Sequence, residues 1–309
     1  MLARLDLASS KYYAWLKRRD SENCHNAKTP KNGWLLPDEK QAIIGFYDQN
    51  LSEGYRRLAY MMNDQGVVAA SPSNVRRVLL EAGRIRTRDV HKSKKGNGFE
   101  QPIRPHQEWH TDISFIKIGG ILYSNCSFLD GISRVVVHSE LRETKTEQEV
   151  EIVLQRAREK YPGGKPKIIS DNGPQFISKD FKAFISFCQM THVLTSPYYP
   201  QSIGKIERWY RSMKSECIRP GVPLSLDHAR RMMDTYVTYC NDVRLHRAIG
   251  YVLPRAKLEG RDEAIWAQRR KNLSEANRKR NLENQSEVIA KKKVTKSENS
   301  VRCDSRPIV

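Results

Sequence analysis

Along the first third of the chain, apolar residues recur every three or four positions in short bursts. Residues 38–49 form one amphipathic stretch, opened by Pro37. Residues 53–64 form a second, with Tyr55, Leu58, Met61 and Met62 at helical spacing and Gly66 as the stop. Ser71-Pro72 is a cap followed by proline at the first helical position, where its missing N–H costs nothing. The spacing predicts a third helix over 71–83, with Val75, Val78 and Leu79 on its apolar side and Gly83 at its end. Two helices on a short connection, the second carrying Asn74, Arg76 and Arg77 near its start, fit a DNA-reading helix-turn-helix. They fit a plain helical bundle with solvated arginines equally well.

From Trp109 the period changes from three-to-four to two. WHTDISFIKI, then Gly119-Gly120, then ILYSNCSFLDG, then RVVVHSEL read as three strands of an antiparallel meander. A helix follows over 147–161, with Val150, Val153, Leu154 and Ala157 on one side. A short buried strand (KIIS, 167–170), a helix over 178–188, a strand over 192–195, an irregular loop over 196–204 and a helix over 205–217 complete the series. The order β-β-β-α-β-α-β-α implies an α/β fold with a mixed sheet flanked by helices. A helix over 226–244, with Tyr236, Val237 and Cys240 as packing residues, and a charged helical stretch over 262–290 follow. The last twenty or so residues read as disordered. Residues 86–106 are polar, basic and contain two prolines, as a linker would.

Composition narrows the function. Lys plus Arg is 54 against 35 Asp plus Glu, a formal charge of +19 in 309 residues. The excess is present in 1–100, in 101–250 and in 251–309, so the positive field is distributed and suits a long polyanion. No apolar run approaches a membrane span, and the N-terminus has no secretory pattern. Six scattered cysteines without a CxxC fit ordinary thiols in a reducing compartment.

Three carboxylates are candidates for chemistry. Asp112 interrupts a β-branched and aromatic run, where Asp is a poor strand former. Asp171 follows the buried KIIS strand and precedes Asn172-Gly173. Glu207 lies in the first turn of a helix, with 35 residues between it and Asp171. Each alone has an ordinary explanation: an edge guard, a turn, a favourable helix-start charge. Together, at a mid-strand position, a strand end and a helix start, they can converge over one end of a sheet. Such carboxylates stay ionised side by side only with cations between them, and hard oxygen ligands suit Mg²⁺. On the Glu207 helix, Arg211 and Lys214 are spaced to share its face, where they could hold phosphates.

WHTDISFI, ISDNGPQFIS and SPYYPQSIGKIERWYRSMK resemble the core of the retroviral-integrase-like transposases, with their ribonuclease H-like fold and Asp, Asp, 35-residue gap, Glu signature. Within that group the likeness is greatest to the second-reading-frame (orfB) product of insertion sequences that make their transposase by frameshifting. GYRRLAYMMNDQG…SNVRRVLLEAG resembles that family's N-terminal helix-turn-helix, and YCNDVRLHRAIGYVLPRAKLEGR its C-terminal signature.

The resemblance implies a five-stranded ribonuclease H-like core over 107–261, after an interframe segment (1–36), a helix-turn-helix domain (37–85) and a basic linker (86–106), with a basic helical and disordered tail over 262–309. It implies a DNA transposase in which Asp112, Asp171 and Glu207 hold two Mg²⁺ ions, with Mn²⁺ able to substitute. These would serve cleavage at the ends of an element and transfer of the 3′-hydroxyl into target DNA. Tyr198 and Gln201 in the loop, and Lys205, Arg208, Arg211 and Lys214 on the helix, become DNA contacts, together with Asn74, Arg76 and Arg77. Tyr199 stands where the retroviral form has asparagine and Ile203 where it has glutamine. The expected partners are double-stranded DNA, further copies of the chain and an upstream-frame helix-turn-helix product fused to it, in the bacterial cytoplasm and at the nucleoid. The alternatives are a ribonuclease H-like nuclease or an inactive DNA-binding regulator.

Overall fold

A computed structural model describes residues 9–16, 34–86, 101–195 and 203–303, with side chains described as far as residue 286 in the last segment. After a short helix α1 (Ser9–Leu16), the N-terminal layer holds α2 (Pro37–Gln49), α3 (Tyr55–Asp64) and α4 (Pro72–Glu81). Ser71 caps α4 as its sequence predicts, its hydroxyl accepting the Asn74 N–H at 3.2 Å. Ile43, Leu58, Met62, Val75 and Leu79 close a separate small core between these helices.

The sheet follows: β1 (Glu108–Ile118), β2 (Ile121–Asp130), β3 (Val136–Arg142), α5 (Glu147–Lys160), β4 (Lys167–Ser170), α6 (Pro174–Ile177), α7 (Lys179–Phe187) and β5 (Thr191–Leu194). The strand order is β3-β2-β1-β4-β5, with β1–β2 and β2–β3 antiparallel and β4 and β5 added in parallel. Gly119 and Gly120 both take positive φ, which the tight β1–β2 turn requires. Period-two patterning sorts the side chains. Trp109, Phe128 and Val137 face α5 to α7, while Leu129, Val136 and Leu141 face the helices that follow β5.

Those helices are α8 (Gly204–Met213), a π-helical turn over Lys214–Ile218, α9 (Arg219–Gly221), α10 (Leu226–Asp242), α11 (Pro254–Leu258) and α12 (Asp262–Cys303). The single helix expected over 205–217 is therefore interrupted. One wide turn begins at Lys214 and rotates what comes after it relative to α8.

Asn241 of α10 is buried and covers the open edge of β3. Its side-chain oxygen accepts the Val136 N–H at 2.9 Å and its amide donates to the Val136 carbonyl at 3.0 Å. Asn241→Ala leaves both backbone groups without partners and is expected to cost about 2–4 kcal/mol. Urea unfolding reads this directly, and an unchanged midpoint would mean that the edge is held elsewhere.

The C-terminal tail differs from its sequence pattern. The last twenty residues read as disordered, yet α12 continues to Cys303. Residues 262–303 contain no glycine or proline, and extending an existing helix costs far less than starting one. The start of α12 is tied to the N-terminal layer. Arg269 pairs with Asp64, Asn272 with Asn63, and the buried Arg280 with Glu39. Among the described residues, no helix is long and apolar enough to cross a membrane.

Candidate active site

Parallel pairing builds the first half of the site. Glu108, Trp109 and His110 of β1 lie beside Lys167, Ile168 and Ile169 of β4. Pairing ends at His110 and Ile169, and the same register carried on by two residues would set Asp171 beside Asp112. Asp171 enters a turn, its Oδ1 accepting the Gly173 N–H at 3.1 Å. Asn172 then ties the turn to β5, donating to the Thr195 carbonyl at 3.1 Å.

The second half comes from α8, which two buried aromatic side chains dock against the sheet at the level of Asp112. Tyr210 donates its hydroxyl to the Asp112 main-chain carbonyl and lies 3.2 Å from that of Asn125. Trp209 donates to the Ser127 hydroxyl at 3.3 Å, and Ser127 is the β2 partner of Asp112. Glu207 is one turn before Tyr210 on the same side of the helix, so the docking that seats Tyr210 also carries Glu207 toward Asp112.

The electrostatics record this convergence. Burial pushes the Asp112 carboxyl up to about 6; the Ile113 N–H opposes this, Asp171 and Glu207 add to it, and Lys214 opposes it. The three carboxylates therefore share one field, with Lys214 the cation that offsets it at Asp112. Among the described residues, no three Asp, Glu, His or Cys side chains close on a single point as a finished metal cage.

The remaining sequence candidates fall in several places. Lys205, Arg208 and Arg211 line a cavity beside α8, while the charge of Lys214 acts on Asp112. Asn74, Arg76 and Arg77 stand on α4 in the N-terminal layer, and Arg77 lies 4.0 Å from Glu81. Tyr198, Tyr199 and Gln201 lie outside the described residues.

Two profiles described as integrase core domain match, one over residues 102–200 and one over residues 188–254. The chain carries an integrase core domain. Strand order and pairing, together with those two matches, make it a ribonuclease H-like integrase core. The core is similar to the Pol-related polyprotein of the mouse intracisternal A-particle MIA14, 32% identical over 120 residues. It is also similar to an uncharacterized 39.2 kDa protein of insertion element IS476 from Xanthomonas euvesicatoria, 24% identical over 206 residues. These matches take in 38% and 65% of the chain but only 13% and 59% of those proteins' lengths. Among solved structures it overlays the simian T-cell lymphotropic virus intasome with a TM-score of 0.46 and 19% identity, over 69% of this chain and 73% of that one. The HTLV-2 integrase catalytic core with magnesium overlays with 0.41 and 18%, over 50% and 96%.

Sequence patterning did not single out Arg134, Arg244 or His246 of the integrase core. The available signal was the clustering of Arg244, His246 and Arg247 in four positions. Burial, reinforced by Arg134, Arg244, Arg57 and Arg208, pushes the His246 imidazole down to about 4. The fold thus holds His246 neutral, while the unfolded chain takes up a proton below about 6.5. Stability is expected to fall as pH drops from about 6.5 toward 4, by up to about 3 kcal/mol. Denaturant titrations across that range should show His246→Gln losing less; an identical decline in the variant would assign the effect to other groups.

Proposed function

We propose that this chain is a DNA transposase of insertion-sequence type, cutting phosphodiester bonds at element ends and joining the freed 3′-hydroxyl to target DNA. The observation that carries this is the mutual field of Asp112, Asp171 and Glu207, brought from a mid-strand position, a strand end and a helix start of an integrase core.

Hard divalent cations fit these residues. The donors are carboxylate oxygens, and Asp112 is a desolvated acid whose neighbours are two more acids and one lysine. Asp112, Asp171 and Glu207 would hold two Mg²⁺ ions, with Mn²⁺ as a substitute. Bound there, the metal supplies Lewis acidity toward the attacking and leaving oxygens of an in-line displacement. The protein's share is orientation. Tyr210 and Trp209 fix α8 against β1 and β2, the Asp171 turn holds the strand end in place, and Lys214 offers a cation to the phosphate. In the joining step one P–O bond forms as another breaks, so no protein nucleophile and no external energy source is needed. Double-stranded DNA is the substrate, and two ends held together require more than one copy of the chain.

A strand-transfer assay with pre-cut element ends tests the proposal. Joining should occur with Mg²⁺ and be lost in Asp171→Asn and in Glu207→Gln, with end binding retained. Metal-dependent cutting without joining would instead make the chain a nuclease of the same fold. DNA binding without any cutting would make it a regulator.

A further inference from the structure

Lys205 precedes Glu207 by two positions, so it points roughly 160° away from it around α8. A cavity of about 780 Å³ opens beside α8, lined by Lys205 and also by Arg211, one turn after Glu207. Its wall draws on parts far apart in sequence: Arg57 of α3, Arg134 of the β2–β3 turn, Lys205 and Arg208 of α8, and Arg244 and Arg247 after α10. Among the described residues, no Asp or Glu lines it.

Several of these cations lack partners at their inner atoms. Nζ of Lys205, Nε and Nη1 of Arg134 and Nε of Arg244 are buried without a hydrogen-bond partner. Buried donors of this kind are costly, and in native proteins they call for an explanation such as an absent ion. Glu108, which also pairs with Lys167, attracts Lys205, and Asp130 attracts both Lys205 and Arg134. The Asp130 carboxylate is already engaged, accepting the His106, Ile132 and Ser133 N–H groups and the Ser133 hydroxyl. Arg57 has Glu53 and Arg244 has Glu216, which leaves the rest of the wall with surplus positive charge. His246, also in the wall, feels Arg134, Arg244, Arg57 and Arg208 together, and burial and these charges keep it neutral.

We propose that this cavity binds the backbone phosphates of a DNA strand, as an anchoring site separate from the three carboxylates. The step from an anion to DNA rests on the function proposed above. Most of the cations are arginines, whose planar forks suit phosphate oxygens in pairs. The volume exceeds that of a single phosphate group. The wall joins the N-terminal layer to the sheet and to the segment after α10, so a strand seated there would hold the three parts together.

Anisotropy titration of the full chain with duplex DNA, in EDTA so that nothing is cut, tests the site through two variants. Arg134 has φ +66, a conformation that favours glycine, so Arg134→Gly removes the cation without straining the turn. Arg247 is exposed, so Arg247→Gln leaves the core untouched. Each should weaken binding about tenfold and lower the slope of log K against log salt by about one. Wild-type affinity and slope in both variants would overturn the proposal. A second arm adds inorganic phosphate alone. If phosphate raises the melting temperature of the wild type but not of Arg134→Gly, while DNA binding is the same in both, the cavity serves a free anion and the proposal fails. Absence of strand transfer with Mg²⁺ would count against the catalytic proposal alone, because these measurements need neither metal nor chemistry.

Discussion

Asp112→Asn is expected to abolish cutting and joining, by at least about 10³-fold, while making the metal-free protein more stable. Both effects have one cause. Asp112 sits partly buried in a strand with Asp171 and Glu207 in its field and Lys214 as its opposing cation. The fold disfavours its charge and raises its carboxyl to about 6, above the ordinary value of 3.8. The penalty is absent in strong acid, grows as pH rises from about 4 through 6, and is complete at neutral pH. An amide of the same shape removes that charge, so in EDTA at pH 7.5 the variant should gain about 1–3 kcal/mol. It also removes an oxygen donor, so the chemistry stops. Calorimetry in EDTA and the strand-transfer assay read the two effects separately. Retained joining would take Asp112 out of the site, and a lower melting temperature in EDTA would show that its charge does not strain the fold.

Arg280→Met should cost about 3–5 kcal/mol and loosen the N-terminal layer from α12. Arg280 is 1% exposed and its guanidinium is fully engaged. Nε and Nη2 hold both oxygens of Glu39, Nη2 also reaches the Ala69 carbonyl at 2.6 Å, and Nη1 reaches Asn277. Glu39 in turn accepts the Leu36 N–H at the start of α2. Methionine fills much of the space but leaves the Glu39 carboxylate and the Ala69 carbonyl without this donor. Hydrogen exchange should rise in α2 and α4 before the sheet responds, because the two have separate cores. Uniform exchange across the chain would show that Arg280 does not hold this layer in particular.

What could be read from the chain alone follows short-range rules. The change of period at Trp109 placed the three strands of the meander, and the short apolar run KIIS placed the fourth, since burial of one face or both faces is written into local sequence. The Ser71-Pro72 cap and the paired glycines at 119 and 120 marked boundaries because backbone geometry there admits few residue types. The carboxylates were visible because Asp112 is a poor strand former in a strand and Asp171 directly follows a buried one.

Other features had no local signature. The π turn that begins at Lys214 ends the regular run of α8 and re-aims the residues after it, which simple helical spacing does not foresee. The partners of Arg280 and Asn241 lie in other layers or strands, so in the sequence each reads as an ordinary polar residue. The sequence by itself determined most of the element types, the order of the strands along the chain and the candidacy of the three acids. Only the tertiary structure decided that β4 lies parallel beside β1 and that cations from four distant segments enclose one cavity. Alternation and capping act within a few residues, whereas electrostatic fields and buried hydrogen bonds depend on which segments the fold brings together.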